Sequence, residues 1–217
     1  MSSFPGSPKL LKAGIVLIDP DTAAVQRVIT LQYNPDTLSR TLQPQSVKES
    51  GDRSQALRLT GPPVETIKLD AEIDATDQLE FPAQNANAVQ FGIQPQLAAL
   101  ETLIYPSSAK LLSNNSMAAV GMLEILPMIS SLSLFVWSTS RIVPVRITDF
   151  SITEEAFDTL LNPIRAKVSL GMRVLSVNDL GFDGRGGNLY MAYLRQKEQL
   201  AVRSAGGTLG QFGIGQL

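Results

Sequence analysis

Two segments alternate so strictly between apolar and polar residues that they constrain the rest of the chain. In Val64–Asp74, Ile67, Leu69, Ala71 and Ile73 occupy one parity, and Lys68, Asp70, Glu72 and Asp74 occupy the other. In Pro163–Val174, Ile164, Ala166, Val168, Leu170, Met172 and Val174 oppose Arg165, Lys167 and Arg173. A period of two puts successive side chains on opposite faces of a strand, so each segment reads as a long strand with one buried and one wet face. The wet face is mostly acidic on the first strand and basic on the second. Opposite charges across neighbouring strands attract, so the two strands are expected to lie side by side, within one subunit or between subunits.

Further strands follow the same logic. Lys9–Asp19 and Ala24–Asn34 flank the turn signal Pro20-Asp21-Thr22 and predict a hairpin, and Thr37–Val47 resumes as an extended segment. Met117–Leu126, Ser131–Trp137 and Arg141–Ile152 also read as strands. In the last of these, Val143, Val145 and Ile147 hold the odd parity while Phe150 and Ile152 hold the even one, which predicts a β-bulge near Thr148–Asp149. Helices are expected at Gln94–Tyr105, opened by Pro95 and stopped by Pro106, and at Asn188–Arg203, with Asn188 as its cap. Residues 1–8 read as a flexible start. Lys48–Pro63 reads as a long polar loop, and Ala205–Leu217 as the glycine-rich end of the tail after Gly181; the loop and that whole tail are expected to be ordered only by contacts with partners. The expected class is mainly β, with residues 1–176 as a β domain and 177–217 as a C-terminal extension carrying one helix.

Composition narrows function. Among 217 residues there is no Cys and no His, which removes disulfides, thiolate nucleophiles, the commonest general base and the commonest transition-metal ligands. A net charge of −2 gives no electrostatic reason to expect nucleic acid. Hydrophobic residues reach 44% and charged residues only 18%, a balance suited to a subunit of an assembly. The apolar run Ala13–Ile18 is too short for a secretory core, and no stretch of the sequence is long and apolar enough for a spanning helix. A cytoplasmic protein that assembles into a larger particle is therefore expected.

Candidate sites are few. Asp70, Glu72, Asp74 and Asp77 lack the loop a calcium site needs, since alternate strand residues stand about 7 Å apart. Glu154, Glu155 and Asp158 have no partner base, and Gly184-Arg185-Gly186-Gly187 lacks the spacing of a phosphate cradle, so it reads as a flexible joint. No catalytic, metal or cofactor constellation emerges. The residues that remain are Lys68, Asp70, Glu72, Asp74, Arg165, Lys167 and Arg173, candidates for an interface or a channel wall.

Leu31–Arg40, LQYNPDTLSR, resembles the strand-and-turn segment of the contractile injection system tube-protein family, which includes baseplate proteins joining spike to inner tube in phage-tail-like particles. GDRSQALRLTGPPVETIKLDAEIDATDQLE and LNPIRAKVSLGMRVLSVNDLGF are similar to blocks of proteins from extracellular contractile injection loci, and the resemblance spans most of residues 10–200. It implies a tail-tube-like antiparallel β-sandwich or barrel with one flanking helix, six copies closing a ring whose hairpins form one barrel around a channel. It also implies a non-enzymatic role, with spike, inner-tube and other baseplate subunits as partners and no direct membrane insertion. Many members carry a C-terminal peptidoglycan-binding LysM module; here only Gly207-Thr208-Leu209 echoes its start. The rival expectations are the repeating inner-tube subunit itself and a free β-barrel that binds a small ligand.

Overall fold

A computed structural model describes residues 10–46, 58–119 and 131–216. The strands are β1 (Gly14–Ile18), β2 (Val25–Thr30), β3 (Leu38–Ser46), β4 (Leu59–Asp74), β5 (Leu132–Ser138), β6 (Arg141–Phe157) and β7 (Pro163–Val174). The helices are α1 (Thr76–Leu79), α2 (Ala86–Phe91), α3 (Gln94–Glu101), α4 (Ser108–Ala119), α5 (Val177–Leu180) and α6 (Arg185–Val202). All seven strands join one antiparallel sheet in the order β2-β1-β5-β6-β7-β4-β3. The mainly β class thus holds, but in place of a sandwich or closed barrel the described residues form a single open sheet.

The sheet is nevertheless curled. Leu31–Thr37 carries the chain from β2, at one edge, to β3, at the other. In a flat sheet β2 and β4 would stand five steps apart, about 24 Å. Yet Gln32, two residues beyond β2, donates from Nε2 to the carbonyl of Asp74 at the end of β4 (2.6 Å) and accepts the Asp74 amide on Oε1 (3.0 Å). Asn34 acts alike, accepting from the Ala13 amide (2.9 Å) and donating to the Leu11 carbonyl (2.7 Å). Both carboxamides stand in for peptide units, and this gives Gln-Tyr-Asn-Pro its structural role.

One face of the sheet is the core. Ile15, Phe135, Val143, Val145, Val168, Leu170, Met172, Ile67 and Leu69 are buried there against Ile93, Leu97 and Leu100 around α3 and Tyr190 and Tyr193 of α6. A smaller cluster on the opposite parity of β1 and β5 joins Ile18, Leu132 and Leu134 to Leu180 and Leu189. The bulge expected near Thr148–Asp149 is present, as a register shift between Ile147 and Asp149.

Several expectations are corrected. Leu59–Pro63, read as loop, belongs to β4, while residues 48–57 lie outside the described residues. β4 pairs with β7 only from Thr66 onward, so Gly61, Pro62 and Pro63 occupy a stretch bonded to β3 alone. There the missing proline N–H groups cost no ladder bond on the free side. Met117 does not start a strand, because 117–119 lie in α4, and residues 120–126 lie outside the described residues, as do residues 1–8. Asn188 is not a cap, since α6 begins at Arg185 with Gly184 before it. Two of the glycines read as a flexible joint are instead packed, for a Cβ on Gly187 would lie 1.8 Å from the Gly181 carbonyl oxygen and one on Gly186 2.5 Å from Leu180 Cδ1. Four more helices accompany the two expected, and α6 buries its tyrosines in the domain's own core rather than waiting for a partner.

Truncating either carboxamide leaves peptide groups unpaired. Gln32→Ala and Asn34→Ala are each expected to lower the unfolding free energy by about 1–2 kcal/mol, read from urea denaturation, with Gln32→Glu no better because it loses the donor.

Candidate functional site

The register of β4 and β7 brings every sequence-predicted residue onto one face. Asp74 stands opposite Arg165, Glu72 opposite Lys167, Asp70 opposite Ser169 and Lys68 opposite Gly171. The next strand adds Glu155 beside Arg165, Thr153 beside Lys167 and Arg146 beside Arg173. The strands inferred to be neighbours from their charges are therefore neighbours, and within a single chain.

The ion pairs are more local than a simple acidic-to-basic match. Arg165 donates from Nε to Asp74 Oδ2 (2.7 Å) and approaches Glu72 (3.8 Å). Lys167 turns away from Glu72 to Glu155 on β6 (3.1 Å). Arg173, opposite another arginine, is neutralised by Asp179 in α5 (2.8 Å), and Ser169 donates to Asp70. Burial works against the charge on Asp74, but hydrogen bonds from the Thr76 side chain and backbone and from Arg165 outweigh it and hold the carboxyl below its ordinary range. The face is thus wettable, with its charges largely balanced within the chain.

An open groove of about 540 Å³ runs across this face, lined in part by Ser39, Lys68, Asp70, Asp149 and Ser151. Its floor follows from the bulge, which swings Asp149 over Gly171: a Cβ there would sit 2.6 Å from Asp149 Oδ2 and 2.9 Å from its Cβ. The serines went unnoticed in the sequence, although Ser39, Ser151 and Ser169 share the parity of the charged residues. Among the described residues no group of three or more acidic side chains is placed to hold a metal. No described helix is long and apolar enough to cross a membrane.

Among the described residues, the most buried charge lies on the core face. Glu65, 3% exposed, accepts from Arg40 Nε (2.7 Å), Lys197 Nζ (2.9 Å) and the Tyr193 hydroxyl (3.1 Å). The Tyr193 oxygen in turn accepts from Arg40 Nη2 (3.1 Å), and Lys197 Nζ lies 4.0 Å from the Tyr193 ring centre. Burial pushes the Glu65 carboxyl up, but the hydrogen bonds and charges of Lys197 and Arg40 prevail and hold it below the usual range. Both carboxylate oxygens are occupied, so the arrangement is a clamp that fixes α6 to β3 and β4.

No family model matches the chain, and no curated protein matches it. Among solved structures, a chain from the C6-symmetric tail of an empty gene transfer agent particle overlaps 75% of this chain and 90% of its own length, at 11% identity and a TM-score of 0.29. A chain from the virion of a native gene transfer agent particle overlaps the same shares at 10% identity and a TM-score of 0.27. Overlaps this loose carry no weight for fold or role.

The clamp is pH-sensitive in a definite direction. Because the folded-state pKa of Glu65 lies below its unfolded value, its contribution is full above the ordinary glutamate range and is lost as pH falls through the folded value. Glu65→Gln is expected to cost about 2 kcal/mol at neutral pH, less than a fully buried pair because Arg40 and Lys197 remain partly solvated. It should also flatten the acid limb of the stability profile measured by thermal melts from pH 7 to pH 3.

Proposed function

We propose that this chain is a non-enzymatic structural subunit of a contractile, phage-tail-like injection particle. In this role six copies form a ring that joins the spike to the inner tube, with α5 and α6 packed on the ring body and the exposed stretch after Val202 extending from it. The polar face of β4, β7 and β6 lines its channel. The observation that carries this proposal is the exposed, mixed-charge face of an open sheet whose two edge strands, β2 and β3, lack a second partner among the described residues. Unpaired edges invite strand addition unless an assembly covers them, and a ring covers them without leaving a free end. A wall that balances its own charge lets polar cargo slide past, whereas an apolar wall would hold it. The resemblance of Leu31–Arg40 to the tube-protein family points the same way, and its carboxamides set the curl such a subunit needs. The repeating inner-tube subunit shares this geometry, so copy number per particle separates the two roles.

Electron microscopy of the assembled particle is the test. A sixfold ring is expected, present in one or a few layers, with Lys68, Asp70, Glu72, Asp74, Arg165, Lys167 and Arg173 facing the lumen. Many stacked layers would make the chain the tube itself. These side chains on the outer surface, or a lone monomer in the native particle, would refute the proposal.

A further inference from the structure

The β6–β7 hairpin ends in a turn that holds two leucines in water. Leu160 and Leu161 are 75% and 77% exposed, and Phe157 beside them is half exposed. The turn is built to stay in place. Asp158 Oδ1 accepts the amides of Leu160 (2.7 Å) and Asn162 (2.8 Å), and Oδ2 accepts Asn162 Nδ2 (2.8 Å). The Asp158 amide donates to the Asn162 carbonyl (2.9 Å). At the base, Asn162 Nδ2 reaches the Gln90 carbonyl (3.2 Å), and the Ile93 amide donates to the Pro163 carbonyl (2.9 Å). Leu161 adopts φ +64°, a left-handed backbone that disfavours any side chain with a Cβ. A glycine there would be easier to fold, so the leucine sits against the local backbone preference while its side chain touches solvent. A fixed apolar tip loses little freedom on docking and makes an effective anchor.

A complementary groove lies part-way along the same strand, where the pairing of β6 passes from β5 to β7. Leu103, Ile104, Ile147, Leu175 and Leu180 help enclose an open space of about 520 Å³, with Arg146 on its wall. Arg146 makes no ion pair among the described residues: the residue opposite it is another cation, Arg173, and the carboxylate of Asp179 is engaged by Arg173. The groove therefore suits an apolar guest flanked by a carboxylate. The tip is such a guest: Glu154, exposed on the same hairpin, also makes no ion pair among the described residues.

We infer that the Leu160–Leu161 tip of one copy seats in the Leu103–Ile104–Leu180 groove of the next, with Glu154 drawn to Arg146. The two surfaces cannot meet within a chain, since Ile147 and Phe157 lie about 30 Å apart along β6. The contact is heterologous, so it propagates head to tail and either closes a ring or extends a stack. It rests on the proposed assembly role and names the side chains that hold neighbouring copies together.

The natural chain has no cysteine, so introduced thiols are the only ones present. Full-length Leu161→Cys and Ile104→Cys proteins are mixed and mildly oxidised. Disulfide-linked dimers are expected from the mixture and not from either protein alone, with a ladder of higher species from the double variant. Leu161→Gly, which relieves the backbone, should melt no lower than the parent yet self-associate at least tenfold more weakly in sedimentation. Any of these results would overturn the inference: dimers from Leu161→Cys alone, a bond closing within one chain of the double variant, occupation of the groove by residues 120–130 of the same chain, or no cross-link although the parent forms rings. The last leaves the proposed role standing, whereas a parent chain that never self-associates removes both.

Discussion

Gln32 places a carboxamide where a peptide unit would sit beside the end of β4, and the path of the whole sheet depends on that substitution. Without it, the end of β4 would present an amide and a carbonyl to no strand, and the chain leaving β2 would lose the hydrogen bonds that tie it to the far side of the sheet. With it, a linker of seven residues reaches β3, β3 covers β4, and the core face closes over α3 and α6. Asn34 repeats the device at the start of β1. Local side-chain chemistry therefore sets a long-range topology, because buried backbone groups must find partners wherever the chain can offer them.

Much of this was legible in the sequence and some was not, for physical reasons. Alternation located β4 and β7, charge sign made them neighbours, and a change of parity revealed the bulge. The N-terminal extent of β4 was hidden because proline normally ends a strand, and only knowledge of which flank is free shows that Pro62 and Pro63 are tolerated. The start of α6 was hidden because glycine signals flexibility until the close approach to Gly181 is known. Glu65 carried a readable signal that went unused: it shares the parity of Ile67 and Leu69, and a lone acid in an apolar register must have cationic partners. Arg40, opposite Ile67, is one of them.

The polar face and the core face are two outcomes of one ladder. Placing Leu170 and Ile67 inward compels Ser169 and Lys68 outward, so the candidate surface comes with the core rather than being added to it. What the sequence adds is balance. Arg165 serves two carboxylates, Lys167 reaches a third on β6, and Arg173 borrows a fourth from α5. Such a surface exerts little field on what passes over it, and removing one charge disturbs its immediate neighbours rather than the whole.

β6 bonds to β5 over its first residues and to β7 over nearly all the rest, so one strand joins the two ends of the molecule. Antiparallel hydrogen bonds lie perpendicular to the strands. A pull directed along β6 would load those bonds in shear and together, whereas a pull across the sheet would open them one at a time. The hairpin is in this sense a tie rod, stiff along its length and compliant to peeling, and the domain resists force in one direction far more than in the other.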